Sequence, residues 1–201
     1  MSDTQPEATE TRVRADALRN RERILKVALE ELSRSADVPL STIAKKAGVG
    51  QGTFYRHFPD RDALVLELYR HEMQRVADAA PELLKTLPPD QAMRTWMDDL
   101  AQYAILKAGL ADAIRQATSG LPSNTRYAPI IGAAELLLRA NAEAGTIRPG
   151  VTTDDLFLAI AGLWQIDADS DWKPRLTRLL DLVMDGLRAG APATQEIGLS
   201  S

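Results

Sequence analysis

The chain of 201 residues, 45% hydrophobic and 26% charged, has the composition of one large or two smaller packed domains, which excludes global disorder. It holds no cysteine and two histidines, which excludes a disulfide scaffold, a thiolate metal site and a histidine-rich one, so neither a metal nor a cofactor is expected. The net charge of −4 is unevenly spread: residues 12–58 carry ten Lys and Arg against five acids, and the chain after Phe58 carries −6, a basic head on an acidic body, as when one module alone meets phosphate. No apolar run approaches the length of a bilayer and the N-terminus lacks the apolar core of a signal peptide, so no membrane partner is expected and the location predicted is cytoplasmic.

In chain order, residues 1–14 are polar and read as a disordered basic arm, with Arg12 and Arg14 placed to reach a groove or phosphates. A first helix is predicted over Asp16–Ser35, with Leu18, Leu25, Leu29 and Leu32 forming one apolar stripe and Ile24 and Ala28 beside it. Pro39 stands where a helix start tolerates it. From Leu40 onward, Ile43, Ala44 and Ala47 recur at helical spacing, Gly48 supplies a left-handed terminating position, and Val49 returns to the core. A second short helix is predicted from Gln51 to His57, anchored by Phe54 and Phe58 at i and i+4. That leaves Gln51, Thr53, Tyr55, Arg56 and His57 unclaimed by the core. Donors, an aromatic and a cation on the second of two closely linked helices suit the reading of a major groove and its flanking phosphates.

The run IAKKAGVGQGTFYRHFPDRDAL resembles the DNA-binding domain of TetR-family transcriptional regulators at Ile43-Ala44, Ala47-Gly48-Val49, Gly52-Thr53, Tyr55, His57-Phe58 and Ala63-Leu64. The resemblance implies a helix-turn-helix domain over residues 15–60 and adds Ser41, Thr42 and Gly52 to the DNA-contacting set. Arg61, near the start of the next helix, is placed to touch a phosphate, a plain first-turn surface charge being the alternative. Gly50 and Gln51 stand where the family often has Ser and then a basic residue. One capping side chain and one phosphate-seeking cation are therefore missing, and Gln51 is placed to approach a base edge instead.

Pro59-Asp60 then opens a helix that Ala63, Leu64, Leu66, Leu68, Met73, Val76 and Ala77 carry to about Ala79. In the family that the chain resembles, the corresponding helix tilts on ligand binding and changes the distance between two reading heads. His71, among Arg70, Glu72 and Arg75, is expected to be exposed. After Pro88-Pro89, a helix capped by Asp90 runs to about Lys107, followed by a short one from Leu110 to about Thr118 and a loop from Ser119 to Asn124. Further helices are predicted over Tyr127–Ala144, Asp154 to about Ile166, and Trp172 to about Arg188, with a connector over Gly145–Val151 and a disordered tail over 191–201. The fold class expected is all-α, about nine helices, with a helical effector-binding and dimerisation domain over 61–190.

Trp96, Met97, Leu100, Tyr103, Ile114, Tyr127, Ile131, Phe157 and Trp164 lie on helices able to converge on a cavity for an apolar small molecule. Each taken alone is more simply core, and the pocket is chiefly what the resemblance implies. The body is similar to the SbtR-like C-terminal domain at Gly109-Leu110-Ala111-Asp112-Ala113, Leu138-Arg139-Ala140 and Asp185-Gly186-Leu187-Arg188. Its last two helices are apolar on more than one side, so Ile160, Leu163, Leu176, Leu179, Leu180, Val183 and Leu187 are expected at a two-fold dimer interface, against the simpler alternative of a thick monomer core.

The function expected is a repressor that binds a palindromic double-stranded operator as a homodimer and is released by a small-molecule effector. An enzyme is disfavoured: Asp98-Asp99 and Asp154-Asp155 are adjacent on helices and point about 100° apart, and no nucleophile-base order, phosphate loop or metal spacing occurs. A protein-binding helical adaptor is the other alternative, and it would leave Tyr55 and Arg56 dispensable.

Overall fold

The computed structural model describes residues 6–35, 37–106, 110–120, 123–167 and 170–192. Among them are nine α-helices and no strand: α1 (Pro6–Arg34), α2 (Leu40–Lys46), α3 (Gln51–His57), α4 (Arg61–Thr86), α5 (Pro89–Leu106), α6 (Ala111–Ala117), α7 (Ser123–Glu143), α8 (Thr153–Ile160) and α9 (Trp172–Arg188). A 3-10 turn over Ala161–Gln165 follows α8. The chain divides into a head, Met1–His71 with Gly109–Gly120, and a body, Glu72–Ala108 with Leu121–Ser201. The division falls after His71, not after residue 60, because Leu64, Val65 and Leu68 of α4 are buried in the core of the head.

That core gathers Ile24, Leu25, Ala28 and Leu32 of α1, Ile43 and Ala44 of α2, Phe54 of α3 and the first turns of α4, joined by Leu110. Ala113, Ile114 and Ala117 of α6 pack against it, so a segment expected in the body belongs to the head. The core begins at Ile24, and Leu18, expected on the same stripe, is 60% exposed. Helix α1 starts at Pro6 and takes in much of the stretch read as a disordered arm. Pro6 suits a first helical turn.

In the body, α5 is central and packs against α7, α9 and the 3-10 turn. Met93, Trp96 and Met97 of α5 are fully buried, as are Ala134 and Leu137 of α7. Two ion pairs tie α5 to α9: Arg94 to Asp181 at 3.1 Å and Arg188 to Asp90 at 2.8 Å. Asn141 is fully buried and fully satisfied. Its amide donates to the carbonyls of Pro89 and Leu137, both at 2.9 Å, and its side-chain oxygen accepts from Thr146 at 2.7 Å. Among the described residues no helix is long and apolar enough to cross a membrane.

Three boundaries depart from expectation. Helix α4 continues through Pro81 to Thr86, since a proline removes one N–H without forbidding the helix when the turns around it are packed, here by the buried Ala80 and half-buried Leu83 and Leu84. Helix α7 opens at Ser123, four residues early, and also contains a proline, Pro129. Helix α8 ends at Ile160 and tightens into the 3-10 turn, where one long helix to Ile166 was expected.

Candidate nucleic-acid interface

The turn between α2 and α3 is set by its backbone. Gly48 has φ +64°, and the N–H of Val49 reaches back to the carbonyl of Ala44 at 3.1 Å while that of Gly48 reaches Lys45 at 3.1 Å. These two bonds close α2 with the left-handed residue that glycine adopts at least cost. Phe54 and Phe58, at 0% and 1% exposure with ring centroids 5.8 Å apart, then hold α3 to the core. The opposite face of α3 follows from the helical period: Gln51, Gly52, Tyr55 and Arg56 are exposed, and Thr53 and His57 are half-buried at its edges.

On that face Tyr55 is 43% exposed, its ring edge-on to Phe54 at 5.6 Å, so its hydroxyl is carried outward on a fixed base. The Arg56 guanidinium lies back along its own helix, donating to the Gly52 carbonyl at 3.2 Å and the Thr53 hydroxyl at 3.4 Å. His57 rests against Phe58. An open depression beside α3 is lined by Ser41, Thr42, Lys45, Val49, Gly50 and Gln51. It brings together Ser41, Thr42 and Gln51, three residues singled out from the sequence, and adds the exposed cation Lys45, which had been passed over. The signal available was its position one turn after Ser41. Lys46, by contrast, is committed to Glu31 of α1 at 2.6 Å.

Arg61, expected to touch a phosphate, is engaged within the chain. The half-buried Arg61 donates to the Val38 carbonyl and so ties the start of α4 to the turn before α2, while Asp60 caps α4 by accepting from the Ala63 N–H at 2.8 Å. Arg12 and Arg14 fall within α1, and their side chains lie outside the described residues.

The residues expected at an effector pocket do not share one setting. Trp96, Met97 and Leu100 are buried core, and the Trp96 indole N–H donates to the Val76 carbonyl at 2.9 Å. Tyr103, Ile131 and Phe157 are half-buried, Tyr127 is 46% exposed, and Ile114 is packed in the head. The side chain of Trp164 lies outside the described residues. His71, expected to be exposed, is half-buried. A body cleft of about 400 Å³, within the size range of ligand sites, is lined instead by residues such as Arg148, Val151, Leu156, Ala159, Val183 and Gly186.

Of the residues expected at the dimer interface, Ile160, Leu163, Leu176, Leu180 and Leu187 are buried within the chain's own body, Leu179 is 37% exposed and Val183 is half-buried. The apolar side chains left uncovered are Leu158 on α8, 76% exposed, and Leu182 on α9, 72% exposed. The inward and outward sets differ because each helix has one stripe for its own core, and i, i+4 spacing assigns Leu176, Leu180 and Met184 to it.

Comparison with known proteins gives two family models. Residues 24–68 match the bacterial regulatory proteins of the tetR family, and residues 88–189 match the C-terminal domain of SbtR-like transcriptional regulators. A TetR transcriptional regulator from Streptomyces coelicolor is 41% identical with a TM-score of 0.72, covering 84% of this chain and 98% of its own. The TetR-like regulator LfrR from Mycobacterium smegmatis, solved with proflavine, is 25% identical with a TM-score of 0.58, covering 86% of this chain and 96% of its own. An HTH-type transcriptional regulator of Staphylococcus aureus is 28% identical over 96 residues, 46% of this chain. The chain spans about half the length of this curated relative, 52%.

Proposed function

Because the chain belongs to the TetR family of bacterial transcriptional regulators, we propose that it is a cytoplasmic repressor that reads a palindromic operator as a homodimer and is released by a small-molecule effector. The observation that carries this reading is the outer face of α3, where Gln51, Tyr55 and Arg56 are exposed beside the depression of Ser41, Thr42 and Lys45. Gln51 is suited to bidentate contact with adenine and Arg56 to guanine, whereas Ser41, Thr42 and Lys45 suit phosphate oxygens. Arg56 needs only to leave weak contacts on its own helix to reach DNA. The family consists of transcriptional regulators and is not an enzyme family.

A second copy is invoked by Leu158 and Leu182, apolar side chains on α8 and α9 that the chain leaves in water. A two-fold pair of heads then matches a two-fold operator. An effector is favoured by the proflavine complex of LfrR, and release requires only that the ligand bind one conformation better than the other.

The test is fluorescence anisotropy with DNA from immediately upstream of the gene, over a series of salt concentrations. Binding should exceed that to random DNA and weaken steeply with salt. Arg56→Ala and Tyr55→Ala should each reduce specific binding about 5- to 150-fold, equivalent to about 1–3 kcal/mol, without changing the melting curve. Equal affinity for random DNA, or full binding by both variants, would reject the reading in favour of a protein-binding adaptor.

A further inference from the structure

Helix α2 carries Ser41, Thr42 and Lys45 to the depression beside α3, yet no side chain caps its start. The residue before it is Pro39, with φ −62° and ψ 139°, and the Pro39 carbonyl accepts the first helical N–H groups, from Thr42 at 2.9 Å and from Ile43 at 3.3 Å. What orients that carbonyl decides where the helix points. Two stiff units stand just upstream of it, the ring that fixes the Pro39 φ and the planar Val38–Pro39 peptide. Arg61 grips the second of them: its guanidinium donates to the Val38 carbonyl, 23 residues away in sequence.

Arg61 is the first residue of α4, and that end of α4 is itself held. Asp60 caps it through the Ala63 N–H, Leu64 and Val65 are buried in the core of the head, and Glu67 pairs with Arg21 of α1. The far end of α2 is held as well, by Lys46 on the buried Glu31. Helix α2 is thus pinned at its start by α4 and at its end by α1, and Ser41, Thr42 and Lys45 lie between the pins. A guanidinium suits the first pin, because it is half-buried there and is more weakly hydrated than an ammonium. To reach a phosphate Arg61 would give up a charge-assisted bond, whereas Lys45 is already exposed on the depression.

We propose that Arg61 is a positioning residue for operator reading: it holds the Val38–Pro39 peptide against the start of α4, so setting the direction in which α2 presents Ser41, Thr42 and Lys45, and makes no phosphate contact itself. This deepens the reading of the chain as an operator-binding regulator and rests on it. Phosphate contacts fix the register of the protein on the duplex, so a shift of α2 costs specific binding although no base contact is removed.

The test uses the full chain and three variants. Arg61→Lys keeps the charge without the planar fork, Arg61→Gln removes the charge, and Lys45→Gln is the phosphate comparison. Amide hydrogen exchange is measured first, without DNA. In both Arg61 variants the Thr42 and Ile43 amides should exchange at least about threefold faster, while the Phe54 and Phe58 amides of the α3 segment keep the wild-type rate. Operator affinity is then followed by anisotropy over a salt series. Lys45→Gln should lower the slope of log affinity against log salt by about one. Arg61→Lys should weaken operator binding about tenfold with the wild-type slope. A phosphate contact, which lysine also serves, predicts a loss in Arg61→Gln alone. Unchanged exchange at Thr42 and Ile43, an equal rise at Phe54 and Phe58, or full operator binding by Arg61→Lys would each overturn the assignment. Should the wild type prefer its operator while one of these results is found, the role of Arg61 falls and the repressor stands; should it bind operator and random DNA equally, the repressor falls and the proposal with it.

Discussion

A carboxylate withdrawn from water is retained when both its oxygens find donors, and Glu31 shows how the head meets that condition. Its pairing with Lys46 of α2 and with Arg34 on its own helix clasps α1 to α2. The hydrogen bond from Lys46 is the largest influence on its carboxyl and holds it below the ordinary glutamate range, against the opposing effect of burial and with further help from Arg34. A lowered folded value means that the stabilisation is complete above the unfolded value, about 4.3, and is lost as the pH falls through the folded one. Glu31→Gln should therefore melt below the wild type at pH 7, and the two curves should converge as the medium is acidified. A gap that stays constant into acid would show that charge is not the cause. In the sequence Glu31 is one more charge on a helical segment. Arg34 is visible as a neighbour at i+3, but Lys46 is fifteen residues away and becomes a partner only when α2 folds back. Asn141 was equally opaque, because two of its three connections, to Pro89 and Thr146, depend on where its helix ends and which other helix begins beside it.

Helix ends are legible when their chemistry is local. Gly48 and Gly145, with φ +64° and +66°, stop α2 and α7 where a left-handed residue was expected, because the requirement lies in one residue's missing side chain. Helix α8 opens with a capping box that was not anticipated: the Thr152 hydroxyl accepts from the Asp155 N–H at 3.2 Å, and the Asp155 carboxylate accepts from the Thr152 N–H at 3.0 Å and from its hydroxyl at 2.7 Å. The bonds from Thr152 hold the Asp155 carboxyl below its ordinary range. Thr152→Ala should cost about 1 kcal/mol in a urea titration, and no loss would mean that packing of α8 alone sets its start. The helix ends that packing decides were harder to place. Helix α4 was expected to end at about Ala79 and runs on through Pro81 to Thr86, α7 was expected from Tyr127 and opens at Ser123, and the change to a 3-10 turn after Ile160 has no marker in AGLWQ and goes with the packing of that stretch against α5 and α8.

At the scale of the whole molecule, the division of apolar side chains between core and partner makes a separable prediction. Leu182→Lys and Leu158→Lys should each convert dimer to monomer in light scattering and weaken operator binding, while the folded body persists, since both side chains are already largely in water. Leu180→Ala, at 0% exposure, should instead destabilise the body by about 2–5 kcal/mol in chemical denaturation. If Leu182→Lys and Leu158→Lys both leave the dimer intact, the proposed interface is wrong. The sequence by itself determined the helical class, the two short helices and their glycine turn, and the polar face of α3, because periodicity and turn chemistry are carried by residues within a few positions of one another. Tertiary structure alone decided that α6 joins the head, and that Ile160, Leu163, Leu176, Leu180 and Leu187 face inward while Leu158 and Leu182 do not. The physical reason is that burial and pairing depend on which distant segment arrives opposite a residue, and a helix with several apolar faces fits more than one arrangement until its neighbours are in place.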